Sequence, residues 1–186
     1  MPELPLPDPP LSDSVVTLRA FTLDDIEWVT EGCRDPEVAR FTSVPDPYEP
    51  EHAREWIGQQ DDLRESGEGL HLAATAADDG APLGSVGLQR IAWDQLRGEI
   101  GYWIAPWGRG RGAAPRTVRL LAAYGFAVVG LQRIEVIPYL DNPASQRVAE
   151  KAGCQREGVL RSYFLARGVR HDCVMYSLLP GDLRGP

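Results

Sequence analysis

No apolar run in this 186-residue chain approaches the roughly 18 residues a membrane-spanning helix needs, so a membrane partner is not expected. Cysteine is scarce. Cys33, Cys154 and Cys173 are odd in number, widely spaced and form no Cys-x-x-Cys pair, which argues for reduced thiols in a cytoplasmic setting rather than a disulfide framework. Histidine is as thin: His52, His71 and His171 lack ligand spacing, and no structural or catalytic metal is expected. The start, Met1-Pro-Glu-Leu-Pro-Leu-Pro-Asp-Pro-Pro, has neither the basic end nor the apolar stretch of a signal peptide. Residues 1–13 instead read as a flexible proline-rich arm, disordered or draped on the surface. The apolar fraction, 43%, is ordinary for a globule. Length permits a core without staples, so residues 14–180 read as one domain and 181–186 as a tail.

Net charge is −8, unevenly spread. Residues 1–80 carry 19 acids against 5 arginines, whereas residues 81–186 carry 8 acids against 14 lysines and arginines. Such an acidic first half makes nucleic acid an unsuitable partner. It suits a cationic acceptor, or simply keeps the surface soluble. The basic second half suits an anionic ligand.

Along the chain, Val15–Ala20 reads as a strand, and Thr22 caps a helix with Asp25 in the capping-box position. A short helix is expected over Pro36–Phe41, a turn-rich loop over Ser43–Pro50 and a helix over Glu51–Arg64. Three antiparallel strands follow, Leu70–Ala77, Leu83–Ile91 and Glu99–Ala105, separated by turn residues. Then come a helix from about Pro115 to Phe126, a strand over Gln132–Pro138, a helix over Asn142–Ala152 and two closing strands, Gln155–Ala166 and Val169–Leu178. Asn142 suits an N-cap, Pro143 the first helical position and Gly153 a C-terminal stop.

The most informative segment is Trp107-Gly-Arg109-Gly110-Arg111-Gly112-Ala113-Ala114-Pro115, between a strand and a helix. Its glycines let the backbone turn tightly beside a ligand, and the N–H groups of the bend and first helical turn suit phosphate. Arg109 and Arg111 add planar donors. A P-loop would need Lys-Ser or Lys-Thr after the last glycine, where Ala113-Ala114 stand. The dinucleotide fingerprint finds Gly110-x-Gly112 and, about 20 residues on, Glu135 as a ribose acid. It fails at Pro115, where close helix–strand packing wants Gly or Ala, and the preceding strand is not a continuous aliphatic run.

Arg109-x-x-Gly112-x-Ala114 resembles the R/Q-x-x-G-x-G/A signature of the GNAT N-acyltransferases. Asn142-Pro-Ala-Ser145-Gln-Arg-Val-Ala149-Glu-Lys151-Ala-Gly153-Cys154 is similar to the second helix of that family. The resemblance runs from about Val15 to Leu179, closest to the branch of ribosomal-protein N-terminal acetyltransferases and their relatives. It implies an α+β, three-layer fold: a mixed, mostly antiparallel sheet of six to seven strands, helices on both faces, and a splay between the fourth and fifth strands. It implies acetyl-CoA as cosubstrate. The pyrophosphate would sit on Arg109, Gly110, Arg111, Gly112, Ala113 and Ala114, and the pantetheine arm beside Trp103, Ile104 and Asn142. An amine-bearing acceptor, either a protein N-terminus or a small molecule, would enter from the opposite side, and a homodimer is compatible with this reading.

Acetyl transfer to an amine needs a neutral amine, a polarised carbonyl and a stabilised thiolate. Glu99 is the candidate base; alternatively it is a solvated carboxylate paired with Arg97 or Arg116. The family commonly places a proton-donating tyrosine seven residues beyond the Asn, where this chain has Ala149. Ser145 matches the serine of the N-terminal acetyltransferase branch and is the candidate acid; bonding to nearby main chain is its alternative. Tyr163 is a reserve acid. Cys154, where the family prefers Phe, reads as a core replacement. Trp28, Trp56, Tyr48, Tyr139 and Tyr163 are candidates for the acceptor pocket, or for packing alone. The missing tyrosine also leaves open a second reading, an acyl-CoA-binding sensor or scaffold without turnover.

Overall fold

The computed structural model describes residues 1–183; of the tail expected over 181–186, residues 184–186 lie outside the described residues. Strand β1 (Leu11–Ser12) pairs antiparallel with β2 (Val16–Arg19), Leu11 opposite Leu18. Helices α1 (Ile26–Cys33), α2 (Pro36–Phe41), α3 (Pro50–Gly58) and α4 (Gln60–Glu65) follow, then β3 (Gly69–Ala76), β4 (Pro82–Ala92) and β5 (Arg97–Ile104). Helix α5 (Ala113–Tyr124) leads to β6 (Arg133–Val136), α6 (Pro143–Lys151), β7 (Gln155–Ala166) and β8 (Val169–Leu178).

Among the described residues one sheet of eight strands results, in the order β1-β2-β3-β4-β5-β6-β8-β7, and only β5 and β6 run parallel. The strand beyond the expected six or seven is β1, contributed by the proline-rich arm. That arm lies across the body. Leu4 is fully buried in the main core, its N–H bonds the Arg64 carbonyl at 3.0 Å, and the Tyr124 hydroxyl donates to the Pro5 carbonyl at 2.7 Å. Apolar side chains at alternate positions commit one sheet face to α5 and α6, where Leu72, Val86, Ile100, Val118, Leu121 and Tyr176 meet. The other face carries α1 and α3 over a second core of Val29, Cys33, Tyr48, Ala53 and Ile57.

The helix expected over Glu51–Arg64 is two helices. The chain relaxes at Gln59 (φ −87°, ψ −7°), just after Gly58, a poor helix former. The helix expected from about Pro115 begins at Ala113, two residues earlier, and closes in a wider turn over Gly125–Val129. Thr22 precedes a single 3-10 turn before α1; Asp25 accepts its N–H at 2.8 Å, as the capping position requires.

Candidate active site

The pairing of β5 with β6 stops after three residues, Arg97 opposite Arg133, Gly98 opposite Ile134 and Glu99 opposite Glu135. Beyond Glu99 the two strands part. A cleft of about 980 Å³ fills the gap, with Ile100–Ile104 on one wall and Val136–Tyr139 on the other. This is the splay expected between the fourth and fifth strands, here β5 and β6 because β1 adds one to the count. A main-chain edge without a neighbouring strand needs partners, and an amide-bearing ligand can supply them.

On the α5 side the cleft is walled by Arg109, Gly110, Gly112, Ala113 and Ala114. Gly110 (φ +78°) and Gly112 (φ +74°) both adopt the left-handed conformation, and a Cβ on either would meet nothing within 4 Å. Gly112 caps α5 without a side chain, so the first-turn N–H groups keep no side-chain acceptor. An open flank, an uncapped helix start and the positive end of its dipole fit an anionic phosphate. Arg111 is exposed and forms no part of the cleft wall. Arg109 does line it, but its guanidinium bonds Asp35, the N-cap of α2, and its Nε reaches the Ile104 carbonyl at 3.3 Å. Burial alone would raise the Asp35 carboxyl; the Arg109 bond and the Val38 and Glu37 N–H groups outweigh it and leave the carboxyl low.

Two cations to which the sequence motifs assign no role stand on the same side. Arg147 and Lys151, one turn apart on α6, line the cleft, and neither makes an ion pair among the described residues. Their i, i+4 spacing was visible; that this flank of α6 meets the gap was not.

Asn142 caps α6, its Oδ1 accepting the Ser145 N–H at 3.0 Å. The Ser145 hydroxyl does not turn back to the helix main chain. It lies 2.6 Å from the Tyr102 hydroxyl, which also donates to the Ser145 carbonyl at 3.3 Å. Tyr102, on β5, had escaped the sequence reading. Burial lifts its phenol above the ordinary range, with the Ser145 bond pulling the other way. Ala149, at the position of the family's tyrosine, is fully buried. Cys154 is buried as well, which pushes its thiol up to about 12 and makes it a poor nucleophile.

Strand alternation sends Glu99, Gly101 and Trp103 to the opposite face of β5 from Tyr102. Glu99 is half-buried in the cleft. Its Oε2 is 3.0 Å from Arg90 Nη1, and its Oε1 accepts from Gln89 Nε2 at 3.2 Å. Neither partner is the one anticipated: Arg97 bonds Glu135, and Arg116 bonds Asp13. Glu135 is buried between Arg97 and Arg133 and braces the sheet, so it is unavailable to a ribose. Arg90 reaches Glu99 from a bulge in β4, where its φ is +49°, and its guanidinium covers the Phe164 ring at 5.0 Å.

His71, set aside for want of ligand spacing, also lines this face, edge-on to Trp56 with ring centroids 5.7 Å apart. It lies opposite Gly87, where a Cβ would stand 2.0 Å from the imidazole, so glycine is what admits the ring. Burial holds His71 below its ordinary value, with Gln89 partly opposing. Of the aromatic candidates, Trp56, Tyr48, Tyr139 and Tyr163 line the cleft; Trp28 does not, its indole N–H being spent on Asp25 at 2.7 Å. Among the described residues, no three His, Cys, Asp or Glu side chains cluster as a metal site.

A mixed sheet parted beside an uncapped, glycine-led helix, with helices on both faces, is the GNAT acyl-CoA-binding architecture. Among solved structures, RimJ of Mycobacterium smegmatis, in complex with CoA-disulfide, matches with a TM-score of 0.82 at 19% identity, over 91% of this chain and 84% of the other. The spermidine N-acetyltransferase of Vibrio cholerae, in complex with CoA and spermine, matches at 0.77 and 21% identity, over 93% and 100%. At such identities they speak for the fold alone. A family model described as an acetyltransferase (GNAT) domain matches residues 16–155. YoaA of Bacillus subtilis (strain 168), an uncharacterized N-acetyltransferase, is 31% identical over 171 residues, 92% of this chain and 97% of its own. The chain belongs to the GNAT acetyltransferase family.

Proposed function

We propose that this protein is an acetyl-CoA-dependent N-acetyltransferase that acts on a primary amine by direct attack in a ternary complex. The peptide or protein N-terminal α-amine is the first choice of acceptor and a small amine the second. The observation that carries this reading is the interrupted β5–β6 ladder, with a phosphate-suited bend on the α5 face and a carboxylate, Glu99, on the other. Family membership supports acetyl transfer.

When bound, acetyl-CoA supplies an activated acetyl thioester. The bend Arg109–Ala114 would hold its pyrophosphate, with Arg147 and Lys151 as further cations, and the free edge of β5 near Trp103 and Ile104 would bond the pantetheine amides. Asn142 is already engaged as a cap through Oδ1, which leaves its amide N–H groups for that arm. An α-amine, with an ordinary pKa near about 8, sheds its proton far more readily than a lysine near about 10.4. Glu99, paired with Arg90 and oriented by Gln89, takes the proton released on attack, directly or through a water. Ser145, in the first turn of α6, donates toward the departing sulfur, where the helix dipole also favours negative charge.

Ala149 is the one observation that favours an acyl-CoA binder without turnover. Incubation with acetyl-CoA and a panel of peptides, polyamines and small amines, reading free thiol, decides between the two. Acceptor-dependent thiol release supports the transferase; its absence across the panel, with coenzyme binding intact, supports the binder.

A further inference from the structure

Tyr102 and Ser145 come from opposite walls of the gap. One is on β5; the other is on α6, which follows β6. Their hydroxyls are 2.6 Å apart and either could donate; the phenol, much the stronger acid of the two, is assigned as the donor, and because it has one proton its 3.3 Å approach to the Ser145 carbonyl is the weaker arm of that same donation. The Ser145 oxygen is therefore occupied by a proton from Tyr102, and its own proton is released to the cleft. A first-turn serine left alone would turn that proton onto a nearby main-chain carbonyl. The phenol also polarises the serine hydroxyl, because consecutive hydrogen bonds strengthen one another in a low-dielectric site.

We infer that Tyr102 is a positioning residue for departure of the coenzyme thiol: it acts through Ser145, directing that hydroxyl at the sulfur. The inference rests on the acetyl-CoA reading of the cleft and deepens it, for it places on β5 the phenol that position 149 lacks. In the step concerned, the amine lone pair forms the new N–C bond, and the C–S bond breaks with its electron pair passing to sulfur. The ammonium proton leaves by way of Glu99. Neither Tyr102 nor Ser145 need lose a proton. The thiolate departs hydrogen-bonded to the serine hydroxyl, itself held by the phenol. A donor of this kind toward a charged acceptor contributes about ten- to a hundredfold in rate.

The test uses the whole protein and two readouts. The first needs no acceptor: the titration of the thiol of bound coenzyme A, followed by thiolate ultraviolet absorbance, in wild type, Tyr102→Phe, Ser145→Ala and the double variant. Other charged or titratable groups near this pair are Arg147 and Lys151 of α6 and the buried Cys154, while Glu99, Arg90 and Cys173 lie on the far face. All are retained in every variant, as is the aromatic ring in Tyr102→Phe. Each single variant is expected to raise the bound thiol pKa by about one unit, and the double variant no further, because the phenol acts only through the serine. The second readout is kinetic. Tyr102→Phe should lower kcat about tenfold or more with KM for acetyl-CoA within about twofold, and should cost nothing more in the Ser145→Ala background.

An unshifted thiol in Tyr102→Phe, or equal and additive losses in the double variant, would overturn the inference. If wild type does not bind coenzyme A, the coenzyme reading and this inference fall together. If the thiol shifts as expected but no amine is acetylated, the inference stands and only the transferase reading falls.

Discussion

Arg109 and Asp35 form an ion pair at the edge of the cleft, joining the glycine bend of the basic half to the N-cap of α2 in the acidic half. Asp35 also accepts the N–H groups of Glu37 and Val38, both at 3.1 Å, so the carboxylate is held in place before Arg109 arrives. On the function proposed above, an incoming pyrophosphate would share that guanidinium with Asp35.

Asp35→Asn separates the two duties of the carboxylate, since asparagine caps a helix as well as aspartate but carries no charge. Coenzyme A affinity is expected to rise about two- to fivefold, consistent with a partly exposed ion pair worth up to about 1 kcal/mol. Arg109→Ala combined with Gly112→Asp should abolish binding, because it removes the donor and puts a carboxylate into the open flank of the bend. Titration calorimetry reads both; micromolar affinity in the double variant would move the pyrophosphate elsewhere.

Glu99→Gln keeps the shape and the hydrogen-bonding reach toward Gln89 and removes the base. Turnover with a peptide amine should fall about a hundredfold or more, with coenzyme affinity unchanged. The deficit should narrow as pH rises toward the pKa of the amine, because more acceptor then arrives neutral. A constant, small loss across the pH range would assign Glu99 to structure.

Acid should weaken the fold through the carboxylates it holds low: Asp13 and Asp35 are two of them, and Asp25 and Glu157 are two more. Burial works to raise Asp25, but bonds from Arg19, Trp28 and the Thr22 N–H outweigh it and set the group below its ordinary 3.8. Glu157 is brought to about 2 chiefly by Arg133, with help from Ser177. Both are depressed in the folded state, so the stability they contribute is complete above their unfolded values and drains as pH falls through the folded ones. Urea midpoints are expected to hold steady above about pH 5 and to drop from there toward about pH 2. Asp25→Asn should flatten that acid limb in part, with the more exposed Asp13, Asp35 and Glu157 leaving a salt-screened remainder.

Leu4→Ala should cost about 2–5 kcal/mol, as for a leucine lost from a packed core, because its side chain is fully buried. A fall in melting temperature of about 2–4 °C for each kcal/mol follows for a domain of this size, read by scanning calorimetry. No change would mean that the arm detaches in solution.

Much of the architecture could be read from local chemistry. Asn142 followed by Pro143 caps α6, as its side-chain oxygen and missing N–H require, and alternation along β3, β4 and β5 marks the strands. The bend at Gly110 and Gly112 was equally legible, since few residues other than glycine enter that conformation. The arm was not: a proline-rich, acidic segment has the composition of a free end, and only the assembled core, with α4 and α5 each bonding the arm's main chain, gives Leu4 a place to bury. Nor was the break at Gln59, where helix propensity is only a weak local preference.

Backbone preference and residue spacing act over a few residues, and they alone determined the glycine bend, the caps and the strand–helix order. Who pairs with whom was decided by the tertiary structure: Tyr102 with Ser145, Glu99 with Arg90, Arg109 with Asp35. Such pairs depend on strand register and on which helix flank meets the gap between β5 and β6. Both are settled only when the two apolar faces of the sheet are buried together, and no short stretch of sequence carries that energy by itself.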